Sequence, residues 1–180
     1  MKWISHIAIA GSTTAIFEPK LVPLAVFGGV FPDLAEGIAN NLFRMNLKHR
    51  QETHYFAYWL IGFIACFALE LDWITAFCWG GLTHILADAC TITGVPFSPL
   101  SDRRFHLFGG RLRTGSAAEY MISLGFSGAC LFVAILLNRE SGQFLPFFYD
   151  WAGYYGDGLI DGAEWKKTDL NYFNYNKKHK

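Results

Sequence analysis

The chain has 180 residues, 52% of them hydrophobic and 17% aromatic, with only 17% charged against about 25% in an ordinary soluble domain. Its 15 Lys and Arg balance its 15 Asp and Glu, so broad attraction to nucleic acid is excluded and no direct nucleic-acid binding is expected. The length suits one domain. The cysteines at 66, 78, 90 and 130 lie in apolar stretches without CxxC spacing, which reads as buried free thiols.

Residues 3–17 form a first apolar segment that stops at Glu18-Pro19-Lys20. Lys2 ahead of it and Ala8-Ile9-Ala10 within it imitate a secretory leader. The apolar run is short, however, and holds His6, so cleavage is not expected. Residues 21–31 form a second segment, which Pro32 is expected to break or kink. A basic connection over 40–52 follows. Residues 54–69 carry no Asp, Glu, Lys or Arg. The short turn Glu70-Leu71-Asp72 then predicts an antiparallel return through residues 73–90.

A long connection over 91–114 contains Pro96, Pro99, Gly109-Gly110 and four arginines. The fifth segment runs from about 115 to 137 and is free of charge from Tyr120 to Leu137, within the roughly 17–25 residues of a transmembrane helix. Aromatic residues near segment ends (Trp3, Tyr55, Tyr58, Trp59, Trp73, Trp79 and Tyr120) fit interfacial belts. The basic loops at 40–52 and 91–114 fall on one side of the membrane and the acidic turn at 70–72 on the other, so the basic side is cytoplasmic. The reading is an all-α, polytopic bundle of four to five apolar helices that crosses a membrane several times. Residues 1–137 form the membrane-embedded domain. Residues 138–180 add an aromatic, interfacial stretch at 144–155 and a polar, basic tail.

His84-x-x-x-Asp88 lies in this apolar setting with both side chains on one helical face. Alone, such a pair is more often satisfied by ordinary hydrogen bonds. On the proposed topology, however, His6, Asp33, His49, His54, His84, Asp88 and Glu119 all fall at the inner ends of segments or in an inner loop. Intramembrane ionisable groups mark functional sites, and such a cluster needs pairing or metallation. These seven are the candidate metal ligands, for one to three divalent ions, with zinc the expected one. A helix-start histidine, a turn Asp after Pro or a helix-N-terminal Glu would give parts of the same pattern. Asp33 or Glu119 is the candidate catalytic proton acceptor. Arg50, Arg103 and Arg104, beside Arg111 and Arg113, fit positive-inside topology and headgroup contact, and equally the clamping of a substrate phosphate. His106 and His179 read as surface residues.

The set Phe31-Pro32-Asp33, His49-Arg50-x-x-Thr53-His54, Gly81-x-x-His84-x-x-x-Asp88, Thr91-x-x-Gly94-x-x-x-x-Pro99 and Arg113-Thr114-Gly115-Ser116 before Glu119 resembles the YdjM-like family. Those bacterial inner-membrane proteins are described as membrane-bound metal-dependent hydrolases and as LexA-binding. The resemblance covers about residues 1–137. More distantly, the order His, Asp, His, HxxxD, Glu is similar to zinc-dependent phospholipase C, although some later histidine ligands have no counterpart here. The resemblance implies a bacterial inner-membrane, metal-dependent hydrolase; the site's depth near the headgroups at the cytoplasmic face points to a phosphoester or lipid-linked substrate, with membrane lipids and a protein partner as expected contacts. The alternatives are a non-catalytic regulatory or assembly protein with a structural metal, and a metal-ion transporter.

Overall fold

A computed structural model of the chain describes residues 1–45 and 50–138. His49, the aromatic stretch at 144–155 and the basic tail, His179 included, lie outside the described residues. The fold is all-α and of membrane type. Its helices are α1 (Trp3–Phe17), α2 (Val22–Asn41), α3 (Phe56–Ala68), α4 (Asp72–Ala89) and α5 (Ala117–Asn138). Helix α4 packs against α1, α2 and α3, while α1 also packs against α2 and α5. The α3–α4 turn reverses as its length predicts, with Glu70 at φ 56° and the Leu71 N–H returning to the Cys66 carbonyl at 3.0 Å.

The burial pattern is inverted relative to a soluble bundle. The buried face of α5 is small or polar: Glu119, Ser123, Ser127, Cys130 and Ala134. Its exposed face carries Met121, Leu124, Phe132 and Leu137. Likewise α1 buries Ser5, His6, Ser12, Thr13 and Thr14. Lipid gives large apolar side chains no reason to hide, so small and polar groups make the helix contacts. Pro19–Asn41 and Ala117–Asn138 are long and apolar enough to cross a bilayer, at 23 and 22 residues with mean hydropathy 1.5 and 2.1. The 13 residues of α3 rise only about 20 Å, short of a hydrocarbon core of about 30 Å.

Three expectations change. Pro32 does not end the second segment: α2 continues through it to Asn41, which places Asp33 mid-helix. The missing N–H is tolerable where a neighbouring helix packs closely and can engage freed carbonyls. A Cβ on Gly28 would strike the Phe77 carbonyl, and one on Gly80 the Ala25 carbonyl. The two backbones therefore touch. Next, the connection after α4 holds a hairpin, β1 (Val95–Ser98) and β2 (Ser101–Phe105), antiparallel with Val95 opposite Phe105 and Ser98 opposite Ser101. Finally, Trp59 and Trp79 serve packing as well as any belt. Trp59 covers Gly81 and donates to the Thr53 carbonyl at 3.0 Å, and Trp79 donates to Thr13 Oγ1 at 3.1 Å. All four cysteines are free; Cys130 is buried and the other three are half-buried.

Candidate metal centre

The close α2–α4 contact builds the site. It brings the Gly29 carbonyl to His84 Nδ1 at 2.7 Å. A carbonyl only accepts, so Nδ1 carries the proton and Nε2 keeps its lone pair. That Nε2 lies 3.3 Å from His54 Nε2 and 3.7 Å from Asp33 Oδ1. His54 Nε2 lies 3.2 Å from the same Asp33 oxygen. Three ligand atoms, from α2, α4 and the 3-10 turn Glu52–His54, thus form a small triangle.

Each member is oriented from behind. His54 Nδ1 is engaged by Thr53 Oγ1 at 2.8 Å, with Glu36 Oε2 at 4.0 Å. Asp33 Oδ2 accepts from Trp3 Nε1 at 3.0 Å, leaving Oδ1 inward, where it accepts no hydrogen bond from the described residues. Hydrogen-bonding the outer atom of a ligand is how metal sites set tautomer and aim.

Asp88 adjoins the triangle, its Oδ2 3.7 Å from His84 Nε2. His6 stacks on the His84 ring with centroids 3.7 Å apart, and its Nε2 is 3.5 Å from Asp88 Oδ1. Both His6 ring nitrogens are buried without a hydrogen-bond partner among the described residues, a costly arrangement unless something binds them. The sets His6, Asp33, His84 and His54, His84, Asp88 each bring their ligand atoms within 4.8 Å of one another. Zinc bonds of about 2.0–2.1 Å require ligand–ligand edges of about 3.3 Å around a tetrahedron. The observed edges of 3.2–3.7 Å fit that ion without rearrangement of the backbone.

Five of the seven sequence-derived ligands therefore meet. His49 lies outside the described residues. Glu119 is at the same end of the fold but is otherwise engaged. Its Oε1 accepts from the Lys2 N–H at 2.6 Å and Ser5 Oγ at 2.9 Å, and its Oε2 accepts from the Gly115 N–H at 2.6 Å. It ties the start of α1 to the start of α5. The arginines also separate. Arg50 is buried and clamps Asp88, with Nη2 2.9 Å from Oδ1 and Nε 2.9 Å from Oδ2, while Nη1 donates to Thr91 Oγ1 at 3.0 Å. The Met1 amino nitrogen also contacts Asp88 Oδ1. Arg103 and Arg104 lie exposed on β2, with Arg104 Nη1 donating to the Thr93 and Gly94 carbonyls. His106 is exposed as expected, its Nε2 3.2 Å from the Ile92 carbonyl.

The sequence reading missed Glu36, whose Oε2 also accepts the Arg50 N–H at 3.1 Å. Its position one turn after Asp33 was the available signal. Trp3 and Thr91 carried no signal beyond an aromatic and a hydroxyl near segment ends.

Compared with known protein families, residues 1–151 match the YdjM inner membrane protein family. No curated protein and no solved structure gives a significant match to the chain.

Proposed function

This chain belongs to the YdjM inner membrane protein family, and on that premise we propose that it is a multi-pass, metal-dependent hydrolase. Its substrate is a phosphoester borne on a lipid or other amphiphile at the cytoplasmic membrane face. The observation that carries this reading is the triangle of His54 Nε2, His84 Nε2 and Asp33 Oδ1, with edges of 3.2–3.7 Å and each residue held from its outer atom. His54, His84 and Asp33 would hold a divalent ion, His6 would supply a further donor, and Asp88, whose Oδ2 lies 3.7 Å from His84 Nε2, would supply another on giving up part of its contact with Arg50. When bound, zinc supplies Lewis acidity and brings the pKa of a bound water to about 7.

The chain's own groups do the rest. Gly29 and Thr53 hold the two imidazoles in register, and Arg50 keeps Asp88 aimed. Asp33, at 16% exposure, is the one cluster member that is not fully buried. With Oδ1 turned to the ion, its other oxygen, Oδ2, beside the exposed Trp3, is the atom that can take a proton from the attacking water and pass it out at the rim. Glu119 is dropped from this role because its oxygens are already committed to three donors. Access to Asp33 runs past Trp3, itself 53% exposed, on a helix face that also exposes Ile7. An apolar approach beside a buried polar cluster suits an amphiphile entering sideways from the bilayer.

The burial of His6, His54, His84 and Asp88 at 0–1% exposure favours a second reading, a closed structural metal site in a regulatory or assembly protein. Metal analysis of the detergent-purified full chain tests the first step: bound zinc that is lost in His84→Ala and His54→Ala supports the centre. Turnover on phosphodiester and phospholipid panels, abolished in Asp33→Ala, then supports catalysis. Bound metal without turnover on any of these substrates would leave the structural reading, and a folded wild type without transition metal would remove both.

A further inference from the structure

The connection from α4 to α5 has a second, independent feature. Leu100 forms the tip of the hairpin at 96% exposure, and Phe108 stands out at 86%. Neither position is loose. Val95 is fully buried, Phe97 and Phe105 pack their rings on Phe56 at 5.8 and 5.5 Å, and the Leu107 N–H bonds the Ala89 carbonyl at 2.8 Å. Phe108 holds φ at 50°, followed by Gly109 at 72° and Gly110 at 60°. An aromatic residue in the left-handed region is uncommon and costs energy. Here that turn drives the ring outward.

Within a few residues of these two apolar points in the chain come Arg103, Arg104, Arg111 and Arg113, all exposed. Asp102 is the one acidic residue from 91 to 116. Among the described residues none of the four arginines pairs with a carboxylate. Exposed apolar points on a stretch that also carries four exposed arginines match a surface that is apolar below and anionic above.

We propose that the hairpin and the Phe108 turn dock into the anionic phospholipid surface of the leaflet at the metal centre's end of the bundle. Leu100 and Phe108 enter the headgroup–acyl boundary, and the four arginines meet lipid phosphates. The proposal rests on the chain's inner-membrane location and not on its metal chemistry. Docking here ties the loop that follows Asp88 to the membrane plane, at the level where an amphiphile's headgroup lies.

The test uses the full-length chain in vesicles, with Leu100→Cys carrying an NBD fluorophore and the labelled wild type as the background from the native cysteines. In phosphatidylglycerol-containing vesicles the emission is expected to shift to the blue and to be quenched strongly by brominated acyl chains. Both effects should weaken several-fold in pure phosphatidylcholine and in the variant with Arg103, Arg104, Arg111 and Arg113 changed to Gln. A photo-crosslinking amino acid placed at 108 in cells should yield lipid adducts, and it gives a reading that needs no label at 100. Water-like, unquenched emission in anionic vesicles overturns the proposal. Equal quenching in both lipids overturns it as well, and so does a crosslink at 108 to a protein in place of lipid.

Discussion

Replacing Asp88 by Asn tests the electrostatic design of the site without reference to any reaction. The side chain keeps its shape and loses its charge. Arg50 presents Nη2 and Nε to the two carboxylate oxygens at 2.9 Å each, and it is only 5% exposed. One of those nitrogens would then face an NH2 group, and the guanidinium would stay buried without a counter-charge. Breaking a buried pair from one side costs about 3–5 kcal/mol. For a chain of this length that corresponds to a fall in Tm on the order of 10 °C. The assay is thermal unfolding of the chelator-treated chain in detergent, so that bound metal does not contribute. The double variant Asp88→Asn, Arg50→Met removes the orphaned charge and should recover most of the loss, a coupling of about 2 kcal/mol or more. A single-variant loss under about 1 kcal/mol, comparable to an exposed pair, or additive effects in the double variant, would refute the buried clamp.

Other outcomes follow from the same geometry. Gly80→Ala should push α4 off the Ala25 carbonyl, destabilise the chain by about 1–3 kcal/mol and weaken metal binding by moving His84 away from Gly29; unfolding and metal titration read both. Glu119→Ala should loosen the α1–α5 contact by about 1–3 kcal/mol, because it strands the Lys2 and Gly115 N–H groups, while zinc stoichiometry stays unchanged; loss of metal in a folded Glu119→Gln variant would restore it as a ligand. Trp3→Phe keeps the ring and removes the donor to Asp33 Oδ2, so zinc affinity should fall about 10–100-fold in a competition titration with a chelator. Acidification should release the metal as protons compete for His54 and His84 Nε2. The sign is retention at neutral pH and loss below it, measured by metal content after dialysis.

Helix positions were largely legible because α1, α3, α4 and α5 are bounded by charges, prolines or tight turns that act locally. Of the break or kink expected at Pro32, the break does not occur, since a proline's effect depends on whether a neighbour packs against the carbonyls it frees. The hairpin at 95–105 was not anticipated. Its two strands are short, with one proline in the first and another in the turn between them, and gain stability from Phe56 on another element.

The candidate site divides in the same way. His84 and Asp88 share a helical face by period alone; counting the expected crossings set Asp33 and His54 at one end, and the structure brings them within 3.2 Å of each other although Asp33 lies mid-helix. Sequence therefore determined which elements carry the polar groups and that a lipid-facing exterior left them an interior to share. It could not determine which atoms of those groups meet. Glu119 and Arg50 carry the same charges whether they serve a ligand or the protein itself. Only the tertiary structure, by placing the Lys2 and Gly115 N–H groups against the one and Asp88 against the other, assigned them to holding the fold. Only the glycine-to-glycine approach of α2 and α4 brought the Gly29 carbonyl close enough to turn His84 Nε2 inward. Hydrogen-bond partners far apart in the chain decide side-chain aim, and no local pattern encodes them.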